Sequence, residues 1–216
     1  LFNLNIGKFS LFIKTSEETK KTKSFIELLN SNLNLNLEIG IDFTGSNGHY
    51  LDVDTLHYIP PEPGKKTLYE NAIYECGKIL EAYDSDKQYP VFGFGACPPG
   101  SKEVNHCFPL NLAVDGDPNI KGLDNVLKIY RANMPQLTFS GPTYFAPMLN
   151  MMFSIISSIR DQNPMAYHVI LLLTDGMIND LDETVECIVN ACDLPVSLII
   201  VGVGDADFTE MEFLDC

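Results

Sequence analysis

The sequence predicts an α/β fold, a doubly wound, mostly parallel central sheet flanked by helices. Two continuous apolar runs, Tyr167 to Leu173 and Val196 to Val203, have the character of parallel strands covered on both faces. Segments with apolar residues at helical spacing alternate with such runs, the pattern of repeated strand–helix units. With 216 residues and 45 % hydrophobic content, the chain is long enough for one domain with a sizeable core.

Residues 1–33 stand apart. Leu4-Asn5-Ile6 alternates and predicts a short strand, Thr15 to Lys23 reads as a basic solvated linker, and Phe25 to Leu29 as a short helix. The domain proper, 34–216, opens on Asn34 to Phe43, where strict alternation turns fully apolar around an aspartate, as in a strand entering a sheet interior. Leu68, Ala72, Ile73, Cys76, Ile79, Leu80 and Tyr83 then recur at helical spacing and predict a helix with one buried stripe. Pro90 to Gly95 reads as a second core strand whose glycines leave room for close backbone approach. Helices are predicted at Leu123 to Ala132, Ala146 to Ile159 and Leu181 to Ala191, between and around the remaining strands. Asp207 to Cys216 is expected to form a short closing helix beside an apolar patch near Phe208, Met211 and Phe213. The sequence opens on Leu1 rather than methionine and is expected to be part of a longer protein.

Fourteen basic against 29 acidic side chains give a formal net charge of −15, which repels nucleic-acid phosphate and anionic membrane and attracts divalent cations. The six cysteines (Cys76, Cys97, Cys107, Cys187, Cys192 and Cys216) lack zinc-ligand spacing and are expected to be reduced, mostly buried thiols. No apolar run approaches the roughly 20 residues of a membrane-spanning helix.

In doubly wound sheets, ligands bind beyond the carboxyl ends of the strands, where the strand order reverses. Oxygen donors concentrate in three loops of that kind: Asp42-Phe43-Thr44-Gly45-Ser46, Gly141-Pro142-Thr143 and Thr174-Asp175-Gly176. Alternate residues Asp42, Thr44 and Ser46 can turn one carboxylate and two hydroxyls the same way, which suits a hard cation, and Gly45 is expected to let the backbone bend. Other polar features have plainer readings. Asp205 and Asp207 follow the last strand as a turn and a helix cap, and His168 opens a buried strand as a packed, hydrogen-bonded residue. Gly93-Phe94-Gly95 lacks the third glycine and the helix start of a phosphate loop.

The ordered set D-x-T-x-S, a distant threonine and a further aspartate resembles the metal-ion-dependent adhesion site of von Willebrand A domains, with Asp42, Thr44, Ser46, Thr143 and Asp175 at its five positions. Thr44 stands where many members have serine, and it keeps the hydroxyl. The resemblance sharpens to the copine family through Ile41 to Gly48, Tyr83 to Lys87, Phe92 to Ala96, Gly141 to Thr143 and Val201 to Phe208. It implies a Rossmann-like A domain, with residues 1–33 as the tail of an upstream lipid-binding C2 domain, and a protein-docking module rather than an enzyme. Two carboxylates and three hydroxyls favour Mg2+ or Mn2+ in an octahedral shell completed by water, with Ca2+ reserved for the C2 domains of the parent protein. Partners are then proteins offering an Asp or Glu carboxylate to the metal, with Asn47, Gly141, Tyr144 and Met177 on the docking surface. Cytoplasmic localisation is implied, with calcium-dependent recruitment to membranes through domains absent from this chain, in signalling or membrane trafficking. The alternative is the substrate-recruiting A domain of a RING-type ubiquitin ligase. A magnesium-dependent phosphatase, the rival enzyme class, needs an acid two positions after Asp42, where Thr44 stands.

Overall fold

A computed structural model describes Glu27 and residues 33–176, 178–209, 211 and 214. The strand and helix expected before residue 33, Met177 and Phe213 therefore lie outside the described residues. The regular elements are β1 (Asn34–Asp42), α1 (Leu68–Leu80), β2 (Gln88–Phe94), β3 (Ala96–Cys97), β4 (Phe108–Pro109), β5 (Asn119–Lys121), α2 (Leu123–Asn133), β6 (Thr138–Phe139), α3 (Ala146–Ile159), β7 (Ala166–Thr174), α4 (Leu181–Asn190) and β8 (Val196–Gly202).

The main sheet runs β4-β2-β1-β7-β8, with β5 also on β2. β1 lies parallel to both β2 and β7, and β7 parallel to β8, while β4 and β5 pair antiparallel with β2. The chain thus leaves β1 towards β2 on one side and later returns to β7 and β8 on the other. That reversal opens a crevice at the carboxyl ends of β1 and β7.

Period-two alternation divides the side chains of the sheet between two separate cores. Leu37, Ile39, Ile41 and Phe43 join Leu171 and Leu173 under α1 and α2, against Tyr69, Ile73, Val126 and Tyr130. On the opposite face, Phe92, Phe94, Ile170 and Leu172 pack under α3 and α4, against Met148, Met152, Ile156 and Cys187. α3 sits so close to β1 that a side chain added at Gly40 would meet Met148 Sδ at 2.6 Å. Even alanine there would displace the end of the flexible Met148 side chain.

Local chemistry fixes the helix starts. Thr67 and Glu70 form a capping box on α1, in which the Thr67 hydroxyl accepts from Glu70 N and the Glu70 carboxylate accepts from Thr67 N. Arg131 on α2 donates to Glu70 at 2.9 Å and ties the two helices together.

Two expectations are corrected. The described thiols are mostly half-buried, since Cys76, Cys97 and Cys107 are intermediate, Cys187 is buried and Cys192 is exposed. Nor do Phe208 and Met211 form an open apolar patch: both join the core under α3 and α4, and Phe208 fills the space beside Gly176 and Gly202. Removing those apolar surfaces from water outweighs leaving them exposed in a polar loop. Among the described residues no helix is long and apolar enough to cross a membrane.

Candidate metal centre

β1 delivers Asp42 to the crevice fully buried. Its Oδ1 accepts from Thr44 N at 2.8 Å and from the Thr44 hydroxyl at 2.6 Å, and its Oδ2 accepts from the Thr174 hydroxyl at the end of β7 at 2.7 Å. The single Thr44 hydroxyl proton is thereby committed, so the Ser46 hydroxyl, 3.1 Å away, is the donor between those two. Ser46 is exposed whereas Thr44 is buried, so this relay of hydroxyls leads from the inside of the crevice to solvent.

The turn that makes this possible differs from the expectation placed on Gly45. Gly45–Asn47 is a short 3₁₀ turn, and the left-handed backbone falls instead on Gly48, at φ 76°. Close approach is required at Gly95, which also has positive φ and packs against the Thr44 methyl. Only glycine meets both demands.

Beneath the turn lies an aromatic platform that the sequence did not reveal. His57 is fully buried, stacks on Tyr69 at 4.1 Å and on Phe43 at 5.1 Å, and faces the Asp42 carbonyl oxygen with Nε2 at 2.8 Å. Burial holds its pKa down to about 3, so the ring is neutral. A carbonyl can only accept; Nε2 therefore carries the proton, and Nδ1 accepts from the Tyr130 hydroxyl at 2.6 Å. Asn47, expected on the docking surface, is only 1 % exposed. Its amide donates to Thr44 while its oxygen accepts from Tyr69 at 2.6 Å, so it braces the turn from inside.

The other two loops arrive from α3 and β7. Thr44 and Ser140 form an isolated parallel bridge, which brings the Gly141-Pro142-Thr143 segment alongside the Asp42 turn. Thr143 is buried and pinned at both backbone groups by Asn179, which accepts from Thr143 N at 2.8 Å and donates its own N–H to Thr143 O at 2.9 Å. Asp180 accepts from Phe145 N and Ala146 N at 3.0 and 2.9 Å, capping α3 from across the crevice. No hydrogen bond links Thr143 to the Asp42 cluster among the described residues. Gly141 is exposed and Tyr144 half-buried.

The electrostatics are unusual for a buried site. Burial pushes the Asp42 carboxyl up to about 6; the charge of Asp175 adds to the rise, and the threonine hydrogen bonds oppose it. Asp175 is 6 % exposed, and its buried Oδ1 has no hydrogen-bond partner among the described residues. Neither aspartate enters a salt bridge with a described residue. Two buried carboxylates facing only neutral donors are strongly unfavourable without a compensating charge. A divalent cation fits this donor set: the orphaned Asp175 oxygen, the Asp42 carboxylate and neighbouring hydroxyls are all hard oxygen ligands. No group of three or more His, Cys, Asp or Glu side chains gathers as a metal cluster among the described residues.

The family model described as Copine matches residues 55–216. The chain belongs to the copine family. Among its relatives, the copine domain is 43 % identical over 208 residues to Protein BONZAI 2 of Arabidopsis thaliana, covering 96 % of this chain and 35 % of that protein. It is 40 % identical over 192 residues to Copine-A of Dictyostelium discoideum, covering 89 % of this chain and 32 % of that one. The chain thus spans about a third of the length of these curated relatives. In fold it is similar to the crystal structure of manganese-loaded Plasmodium vivax TRAP protein, with a TM-score of 0.50 at 14 % identity, covering 85 % of this chain and 63 % of that one. The copine domain has the doubly wound A-type architecture expected from its strand pattern.

Proposed function

We propose that this copine domain docks partner proteins through a divalent cation, Mg2+ or Mn2+, held by Asp42, Thr44, Ser46, Thr143 and Asp175. The observation that carries the reading is the pair of buried aspartates, one with an orphaned oxygen, served only by neutral donors. When bound, the cation supplies a concentrated positive charge and an open coordination position that a carboxylate can fill. Asp42 and Asp175 balance part of that charge, the hydroxyls of Thr44, Ser46 and Thr143 donate lone pairs without adding charge, and Thr174 with His57 fixes the Asp42 carboxyl group and backbone. Three neutral donors leave a strong residual attraction for an Asp or Glu of a partner. The manganese in the fold-related TRAP protein supports a divalent ion of this class.

Gly141 and Tyr144 then flank the docking surface. The role is binding rather than catalysis. Residues 1–33 belong in this reading to a segment leading from a C2 domain, and residues 34–216 form the docking domain. Cytoplasmic localisation and calcium-dependent membrane recruitment, with any signalling or trafficking role, fall to the longer protein.

The test is recovery of partners from lysate on three baits: the domain with Mg2+, the domain with chelator, and Asp42→Ala with Mg2+. The reading predicts partners on the first bait alone. Identical partners on all three would make the cation dispensable and place docking elsewhere.

A further inference from the structure

The loop that follows the metal turn ends in a tip, Leu51-Asp52-Val53-Asp54, in which all four side chains are exposed. Leu51 is 64 % and Val53 70 % exposed, which is unusual for two large aliphatic residues so close together. The base of the loop is firmly tied, by Leu56 N to Asn47 O at 3.1 Å and by the buried His57 ring. The tip is therefore held beside the metal turn.

A second acidic segment closes the other side. Leu56 packs against Gly204, where an added side chain would meet it at 2.7 Å, so the loop after β8 abuts the tip loop. Asp205 and Asp207 on that segment are exposed, and the Asp207 carbonyl backs onto Gly176, next to Asp175. Asp207 thus lies beside the segment that carries the orphaned Asp175 oxygen, with Asp205 next to it, and Asp52 and Asp54 sit on the loop that packs against this segment through Leu56.

A bare acidic partner would meet repulsion from this rim before reaching the site, because fields from exposed charges act over about 8 Å at physiological salt. We infer that the docked segment carries a single carboxylate flanked by lysine or arginine and accompanied by an apolar side chain, the carboxylate entering the Asp42 crevice, the basic groups facing Asp52, Asp54, Asp205 and Asp207, and the apolar group covering Leu51 and Val53. This deepens the cation-docking reading and rests on it for the role of the carboxylate. The rim supplies selection: like charges around the crevice reject acidic clusters, and opposite charges on the partner speed encounter and fix its register.

The full 216-residue chain, loaded with Mn2+, is titrated with fluorescent peptides in anisotropy measurements. One peptide has a central glutamate flanked by lysines and one leucine, the second has glutamines for the lysines, and the third keeps the lysines but has alanine for the glutamate. Each is repeated with chelator and with the double variant Asp52→Asn, Asp54→Asn, whose Mn2+ affinity is checked by calorimetry. The first peptide is expected to bind about tenfold more tightly than the second, given the modest strength of exposed ion pairs, and this advantage should shrink in the double variant and at high salt. Equal affinity for the first two peptides, an undiminished advantage in the double variant, or equal binding of the third would overturn the inference. If chelator leaves the first peptide bound while the double variant still erases the lysine advantage, the rim selects as inferred and the cation reading is the part that fails.

Discussion

Glu38 and Asp42 lie four residues apart on β1, both buried and on the same face of the sheet, and burial raises the pKa of each. Their company differs. Glu38, towards the amino end, accepts a 2.6 Å hydrogen bond from or donates one to His168 Nδ1 on β7, a base that can balance its charge inside the protein. Asp42, at the carboxyl end, has three hydrogen bonds from threonine groups and a second carboxylate nearby, but no ion pair with a basic side chain among the described residues. One end of the strand faces a base across a single oxygen, with Glu38 Oε2 left without a hydrogen-bond partner among the described residues, and the other faces no base and leaves a deficit that a cation from solvent fits. In the proposed reading the same buried acid serves as structure in one place and as a ligand in the other.

That comparison can be broken at its Glu38 end first. His168→Ala leaves Glu38 buried without its base, and loss of one member of a buried pair is expected to cost about 3–5 kcal/mol. Urea denaturation should show this loss in the presence and absence of Mg2+, with metal affinity kept in the folded protein. A loss under about 1 kcal/mol would mean that His168 does not compensate Glu38.

The open end is sharpened by pH. In the metal-free domain the Asp42 pKa of about 6 lies above its ordinary 3.8, so between those values the folded state holds a proton that the unfolded state has released. Stability from this group is therefore present at low pH and is lost as pH rises towards 6. Thermal unfolding of wild type relative to Asp42→Asn should show that decline with chelator, whereas with saturating Mg2+ the wild type should gain over the variant as pH rises, because the cation replaces the proton. Superimposable profiles with and without Mg2+ would remove the link between burial of this acid and metal binding.

The smallest effect is expected from Thr44→Ser. The hydroxyl that bonds Asp42 and Ser46 is retained, and only the methyl packed against Gly95 is lost. Metal affinity by calorimetry should change less than about threefold, with a stability loss of about 1 kcal/mol. A large affinity loss would show that the methyl contact, rather than the oxygen, sets the turn.

The long elements were legible in the sequence because each carries a period: β1 and β7 as buried runs, β8 as an apolar run that is half-buried rather than covered on both faces, and α1 to α4 as apolar stripes, although Leu68, Ile79 and Tyr83 of the first stripe are exposed. β3, β4, β5 and β6 were not, since two or three residues cannot display a period and their pairing is set by tertiary contacts. Asp42, Thr44 and Ser46 are joined by hydrogen bonds, but through a 3₁₀ turn that follows the end of β1 at Asp42 rather than through the strand alternation read from the sequence. Partners joined across the chain were invisible: Thr174 reaches Asp42 over 132 positions, and His168 meets Glu38 over 130. His57 and Asp180 carried no local signal, for a buried histidine under a turn and an aspartate capping another helix look like ordinary loop residues in one sequence. The capping box Thr67-Leu68-Tyr69-Glu70 was in plain view and marks the start of α1.

The central claim is that the deficit at Asp42 and Asp175 is met by a divalent cation. Its most direct test is calorimetric titration of Mg2+ and Mn2+ into the wild-type chain, Asp42→Ala and Asp175→Ala, with circular dichroism to confirm that each variant is folded. The account predicts one saturable site in the wild type and no measurable binding in either folded variant. Undiminished affinity in both variants would contradict it and move the cation, and the docking surface with it, away from this crevice.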